Sequence, residues 1–257
     1  MAKAHNYIPR INYDTIMTKY EGKGKDMKTL LIVSHPDLIN SGSQQYFLSS
    51  LKRNEKITVH LLEAQYPDGK IDVAKEQALL REHDRIIFQF PFYWYSSPPL
   101  LKQWQDVVLE AGFAYGKRGN ALYGKEFGLV LMIGVAEREY QAGGTELFSI
   151  NELTKPFQAM AHKTGMIYLR PLTIFQFGYL EEDQKMDLLI KYWQLLTMEN
   201  DFSLATREKW LIAQLKNFID QNPDSPNARI FTYAVDLIEE NRNTIDGLQM
   251  VFDDMYD

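Results

Sequence analysis

The sequence predicts an α/β fold: a doubly wound, five-stranded parallel sheet of order 2-1-3-4-5 with a C-terminal helical appendage. Three observations predict it. Short apolar runs rich in branched residues alternate with helix-patterned stretches from Lys28 to Leu172. Most of the helical stretches are bounded by turn or cap residues. From Glu181 onward the pattern is helical throughout, with one clear break at residues 222–226.

Lys28 to Ser34 is a continuous apolar run and reads as a central parallel strand. Ser41 to Lys52 follows as a helix, with Tyr46, Phe47 and Leu51 on its inner face. Ile57 to Leu62 alternates and forms the second strand. Ile71 to Glu82 is helical, with Asp72 placed to cap it. Arg85 to Phe90 is the third strand. A helix then runs from Pro98 to Ala111, entered on a proline pair and ended at Gly112. Phe127 to Gly134 is the fourth strand, Pro156 to Thr164 a short helix closed by Gly165, and Met166 to Leu172 the fifth strand. Right-handed crossovers leave few topologies for this order. Asp183 to Met198 and Ser203 to Gln221 are two further helices. Asn227 to Tyr256 is a third helical stretch, with Gly247 as a candidate break. This appendage reads as a packing or dimer-covering element and carries no catalytic signature.

The 257 residues, 45% hydrophobic and 24% charged, suffice for one sizeable core. A net charge of −6 argues against a nucleic-acid partner, which calls for a basic stripe. There is no cysteine, so disulfides, thiolate catalysis and Cys-ligated metals are excluded. Residues 1–27 read as a polar arm without a signal-peptide pattern, and no apolar run approaches the ~20 residues that span a bilayer. A cytoplasmic location is the expectation. The five histidines lie at 5, 35, 60, 83 and 162, with no paired-ligand spacing, so no metal site is expected.

Two loops carry the chemistry. Pro91-Phe92-Tyr93-Trp94-Tyr95-Ser96-Ser97-Pro98-Pro99 directly follows the third strand. Its rings and prolines cannot continue a sheet, so it reads as a rigid loop at the strand's carboxyl end. There, in open α/β sheets, flat cofactors bind. The second loop, His35-Pro36-Asp37-Leu38-Ile39-Asn40-Ser41-Gly42-Ser43-Gln44, opens directly into a helix. Free amides at that start, with Ser41 and Ser43 hydroxyls, favour an anion. Neither Gly-x-Gly-x-x-Gly nor Gly-Lys-Ser/Thr occurs there, which favours a flavin phosphate over a nicotinamide pyrophosphate. Simple N-capping by Ser41 or Ser43 is the alternative. The two loops flank the switch point between the first and third strands, and that coincidence points to a flavin.

Residues 28 to about 185 resemble the flavodoxin-fold NAD(P)H:quinone oxidoreductases, above all the bacterial branch that holds ancillary subunits of glutathione-gated potassium efflux systems. The resemblance rests on Ser34-His35-Pro36 with Ser41, Tyr66-Pro67-Asp68, Ile71-Asp72, Pro91, and Trp94-Tyr95-Ser96. It continues through Pro98-Pro99-Leu100-Leu101-Lys102, Trp104, Phe113-Ala114-Tyr115-Gly116 and Ala121-Leu122-Tyr123-Gly124-Lys125. It implies a flavodoxin-like flavin-binding domain over 28–180 and a homodimer with one flavin per subunit; the helical extension over 181–257, read from its pattern, departs from the shorter ancillary proteins. FMN is the implied flavin, with FAD the alternative, and NAD(P)H is the reductant. The implied cycle is ping-pong: hydride passes from NAD(P)H to the bound flavin, and a quinone-like acceptor then takes the same slot.

By the same resemblance, His35, Ser41, Ser43 and Gln44 hold the flavin phosphate. Pro91, Phe92, Tyr93, Trp94 and Tyr95 line the ring, with donors from the Trp94 and Tyr95 amides favouring its reduced form. Gly134, Val135 and Ala136 on to Tyr140 close over the pyrimidine side. Tyr140 is the catalytic candidate, as a hydrogen-bond donor or a stacking lid. Three positions depart from the family pattern: Val135 stands where a second glycine is common, Glu146 where a histidine is expected, and Tyr93 where glutamine is usual. The alternative function is that of a flavin-bearing regulatory subunit of a membrane potassium efflux channel. Trp104 reads as core or interface packing. Phe113, Tyr115 and Tyr123 read as a pocket wall or as core.

Overall fold

The computed structural model describes residues 27–51, 54–201 and 203–256; the polar arm expected over 1–27 falls almost wholly outside them. The described residues divide into two compact units, one ending at Asp201 and the other holding the residues from Ser203 onward. The first is the α/β unit. Its strands are β1 (Thr29–Val33), β2 (Ile57–Leu61), β3 (Arg85–Pro91), β4 (Glu126–Ile133), β5 (Ile167–Tyr168) and β6 (Leu172–Phe175). They pair in the order β2-β1-β3-β4-β5, with β6 also on β4, and every pairing is parallel. The predicted order is observed.

The expected fifth strand is two short strands. Ile167 and Tyr168 pair with Glu126 and Phe127, and Leu172–Phe175 pairs with Val130–Ile133. Pro171 lies between them and has no N–H to give a ladder, which accounts for the interruption. The sheet's carboxyl edge is thereby carried on to Phe175. The third strand also runs further than the sequence suggests. Pro91 is a ladder residue opposite Met132, and the Phe92 N–H donates to the Met132 carbonyl at 2.9 Å. Proline is tolerated because β1 ends at Val33, opposite Gln89, so that side of β3 needs no donor at Pro91.

The helices of this unit are α1 (Gly42–Ser49), α2 (Leu62–Gln65), α3 (Val73–Glu82), α4 (Pro99–Val108), α5 (Ile150–Leu153), α6 (Lys155–Thr164) and α7 (Glu182–Thr197). The Asp72 side chain caps α3 by accepting from the Lys75 N–H, and Gly165 ends α6 in the left-handed region. Helix α4 stops at Val108, short of the expected Ala111. Gly112 instead sits at φ +88° in the turn that follows.

Helix α7, placed with the appendage by the sequence, packs on the sheet within the α/β unit. Tyr192 is fully buried against Phe47 of α1, with ring centroids 5.0 Å apart. Its hydroxyl donates to Gln89 Oε1 at 2.7 Å, and Gln89 Nε2 donates to Gln44 Oε1 at 2.6 Å. At the other end Arg85, buried at the start of β3, donates to the carbonyls of Leu195 and Met198 and pairs with Glu126 of β4.

Within the second unit, α8 (Leu204–Gln221) and α9 (Pro226–Tyr256) pack around Leu215, Phe218, Phe231 and Val235. Helix α9 is continuous through Gly247, so no break occurs there. Among the described residues no helix is long and apolar enough to cross a membrane.

One buried polar cluster lies outside the carboxyl edge. The Glu76 carboxylate has no exposure and accepts from Trp104 Nε1 at 2.8 Å and from the Tyr66 hydroxyl at 2.5 Å, while His60 Nε2 lies 2.9 Å away. Trp104 is therefore a core residue. Burial pushes the Glu76 carboxyl up, but its hydrogen bonds to His60, Tyr66 and Trp104 outweigh it and hold the group below its ordinary value of 4.5. A depressed folded-state value means stability that is present above pH 4.5 and lost as pH falls through the folded value. Glu76→Gln is expected to cost about 3 kcal/mol at pH 7 by urea unfolding. The gap to wild type should narrow below pH 4.5. A gap that does not change with pH would show that the carboxylate charge contributes nothing.

Candidate flavin-type site at the carboxyl edge

The loops after β1, β3, β4 and β6 meet over the carboxyl edge around a cavity of about 670 Å³. Of the residues singled out in the sequence, His35, Ser41, Ser43, Pro91, Tyr93 and Gly134 line it. The first loop brings its backbone and hydroxyls to the start of α1. Ser41 is the N-cap residue, yet its side chain makes no cap hydrogen bond; its hydroxyl lies 3.5 Å from that of Ser43. Simple capping does not explain these two serines. His35 is nearly buried, accepts the Asp37 N–H at Nδ1 (3.0 Å), and meets the Tyr93 ring edge-on at 6.4 Å. Burial lowers its pKa below the ordinary 6.5, against the opposing pull of Glu63 and Asp37, so the imidazole is neutral at pH 7.

Gln44 is placed differently from the rest of its loop. Its side chain is fully buried, bonded to Gln89, and does not line the cavity. Its Nε2 has no hydrogen-bond partner among the described residues.

The aromatic loop is a tight turn. Tyr93 and Ser96 bridge across it, and the Ser96 N–H donates to the Tyr93 carbonyl at 3.1 Å. Between them Trp94 and Tyr95 both take left-handed backbone, φ 45° and 62°, which non-glycine residues adopt at a cost. Neither amide donates to any acceptor among the described residues. Two consecutive unspent donors in such a turn form a concavity suited to an electronegative edge. Phe92 is buried beneath them, whereas the Trp94 side chain is 91% exposed and lines nothing.

The loop after β4 forms the facing wall. A side chain at Gly134 would meet nothing within 4 Å, so the backbone there borders open space. Val135 packs against the core and does not line the cavity, so it does not obstruct the approach to Gly134. Ala136 is half-buried and precedes a short turn, Glu137–Glu139. Tyr140 is buried with its ring 6.0 Å from Phe175. Burial, then the charges of Glu146 and Tyr95, push its pKa up, so it stays protonated at pH 7. Glu146, at the position where a histidine was expected, accepts a hydrogen bond from the Tyr95 hydroxyl at 2.8 Å. That bond ties the aromatic turn to the β4 loop, which is itself pinned by Thr145 donating twice to Glu139.

Sequence reading missed one whole wall: Ile174 within β6, Gln176, Phe177, Gly178 and Tyr179 after it, and Glu182 and Lys185 at the start of α7. The signal lay in their position after the last strand, obscured once that strand was ended at Leu172. Phe113 is core, and Tyr115 and Tyr123 are exposed; none of the three lines the cavity.

The turn strain is testable. Trp94→Gly removes a left-handed tryptophan that buries almost nothing, so the folded state should gain about 1 kcal/mol by urea unfolding. A loss of stability would mean that the indole holds the turn.

Residues 27–196 match a family described as a flavodoxin-like fold. A Bacillus subtilis protein called the uncharacterized NAD(P)H oxidoreductase YrkL is 51% identical over 162 residues, 62% of this chain and 92% of that protein. The glutathione-regulated potassium-efflux system ancillary protein KefG of Pectobacterium atrosepticum is 42% identical over 61% of this chain and 85% of its own. Among solved structures, an NADPH-quinone reductase from P. pentosaceus superposes with a TM-score of 0.63 at 45% identity, covering 66% of this chain and 98% of that one. General stress protein 14 of Treponema denticola, in complex with FMN, gives 0.58 at 37% identity, covering 66% and 95%.

Proposed function

This chain belongs to the flavodoxin-like fold family, and from that premise we propose that it is a flavin-dependent NAD(P)H oxidoreductase acting on a quinone or similar acceptor. One observation carries the reading. An anion-favouring helix start at Ser41 and Ser43 shares an edge with two consecutive amides, at Trp94 and Tyr95, that have no acceptor among the described residues. The residues present fit a flavin. The Ser41 and Ser43 hydroxyls, which cap nothing, would accept and donate to a phosphate, Gly134 leaves open space beside the cavity, and the Trp94 and Tyr95 amides would be donors for an electronegative ring edge.

FMN is the proposed flavin, supported by the FMN complex of the Treponema relative; FAD is the alternative. Ser41, Ser43 and the α1 amides would hold the phosphate, with His35 as a neutral neighbour. The Gln44 side chain is assigned to bracing α1 against β3, and only its amide remains for the phosphate. Tyr93, Pro91 and Gly134 would border the ribityl and ring. Bound there, the flavin supplies two-electron chemistry between a reduced nicotinamide and the acceptor. The Trp94 and Tyr95 amides would favour negative charge on a ring edge brought to them. Tyr140, protonated at neutral pH, is buried beside Phe175 and outside the cavity lining, and would donate its hydroxyl proton to an acceptor oxygen only by turning toward the slot. NAD(P)H and acceptor use one slot in turn, in a cytoplasmic homodimer.

A second reading is favoured by the KefG likeness: the same flavoprotein docks on a membrane potassium efflux system. Co-purification with a co-expressed efflux channel supports it, and a failure to co-purify removes it.

The purified protein should show a flavin absorbance spectrum, and chromatography after denaturation should release FMN. Steady-state assays with NADH and NADPH against several quinones should give parallel double-reciprocal lines. Flavin-loaded protein inert with every acceptor would overturn the reading. Tyr140→Phe should lower kcat about tenfold or more with FMN affinity unchanged. A change under about twofold would reduce Tyr140 to packing on Phe175.

A further inference from the structure

Resting on the flavin reading above, we propose that Lys185 of α7 is the counter-cation of the phosphate held at the Ser41–Ser43 start of α1, and that it sets a preference for phosphorylated flavins over riboflavin. Among the described residues that line the cavity, Lys185 is the only lysine or arginine. The other groups on the phosphate side do not supply a positive charge. Ser41 and Ser43 are neutral, burial keeps His35 uncharged at pH 7, and Glu182 adds a negative charge to the same wall. A phosphate approaching a dianion is bound more tightly where a cation shares the pocket. The helix start contributes only partial charge.

The lysine is held for the task. Its ammonium bonds to Glu182 Oε1 at 2.9 Å and lies 5.6 Å from the centre of the Phe177 ring, with its side chain 20% exposed. Phe177 in turn packs on Tyr46 and Phe47 of α1, at 5.1 and 5.7 Å between ring centroids. The platform under Lys185 is thus fixed to the helix whose start would carry the phosphate. An ammonium has three donors, and Glu182 takes one. The remainder can meet a phosphate oxygen without breaking the Glu182 contact.

The test compares FMN with riboflavin, which lacks the phosphate, by quenching of flavin fluorescence on binding. In Lys185→Met the Kd for FMN should rise about tenfold or more, while that for riboflavin stays within about twofold of wild type. Lys185→Arg should restore the FMN preference. Raising the salt concentration should shrink the difference between wild type and Lys185→Met. Unchanged FMN affinity in Lys185→Met, or equal losses for FMN and riboflavin, would overturn the assignment. If wild-type protein binds neither flavin, the flavin reading itself falls and takes the lysine's role with it. Thermal unfolding of both variants checks that the fold is intact.

Discussion

The carboxyl edge depends on a charge buried at the opposite end of the sheet. Arg85 opens β3 with its guanidinium out of water, a position tolerable only because it is paired and hydrogen-bonded. Glu126 at the start of β4 meets one side, and the carbonyls of Leu195 and Met198 at the end of α7 each accept a further bond. Thr29 adds a hydroxyl bond to the Leu196 carbonyl at 2.7 Å. The unpaired carbonyls of a helix end and a buried cation thus satisfy each other. Sixteen residues of α7 then rise about 24 Å from that anchor, which delivers Glu182 and Lys185 to the far edge. Midway, the Tyr192–Gln89–Gln44 chain of hydrogen bonds locks α7, β3 and α1 into one register.

Much of this was legible in the sequence because the relevant signals are local. A short apolar run rich in branched residues and bounded by turn residues reads as a buried parallel strand, and right-handed crossovers leave few strand orders. The aromatic loop and the Ser41–Ser43 loop were legible for the same reason, since each sits within a few residues of a strand end. What escaped was non-local or depended on a single missing donor. Pro91 looked like a terminator, but the side it cannot serve has no neighbour beyond Val33. Pro171 looked like part of a strand and instead divides one. Gln44 belonged by position to the phosphate loop, yet its side chain turns inward to a glutamine 45 residues away in sequence. Lys185 lines one cavity with a loop more than 140 positions earlier, a distance that no periodicity reports.

The departures from the family pattern are coherent once the contacts are seen. A valine after Gly134 is compatible with an open approach because its side chain goes to the core. A glutamate at 146 is compatible with an ordered edge because it receives the Tyr95 hydroxyl. The same bond braces a turn whose two left-handed residues would otherwise relax. The energetic cost of presenting two bare amides is therefore borne by a tether between neighbouring loops, not by glycine.

The anchor of α7 also sets an order of events during synthesis. Arg85 must wait for acceptors 110 and 113 residues further along the chain. A nascent polypeptide that has emerged only through β6 has its whole parallel sheet but holds that guanidinium with Glu126 alone. Contacts of such long separation form slowly and late. Within the α/β unit the anchor of α7 thus forms last, and a chain cut short before Leu195 would have every strand in place yet leave α7 untied at its base.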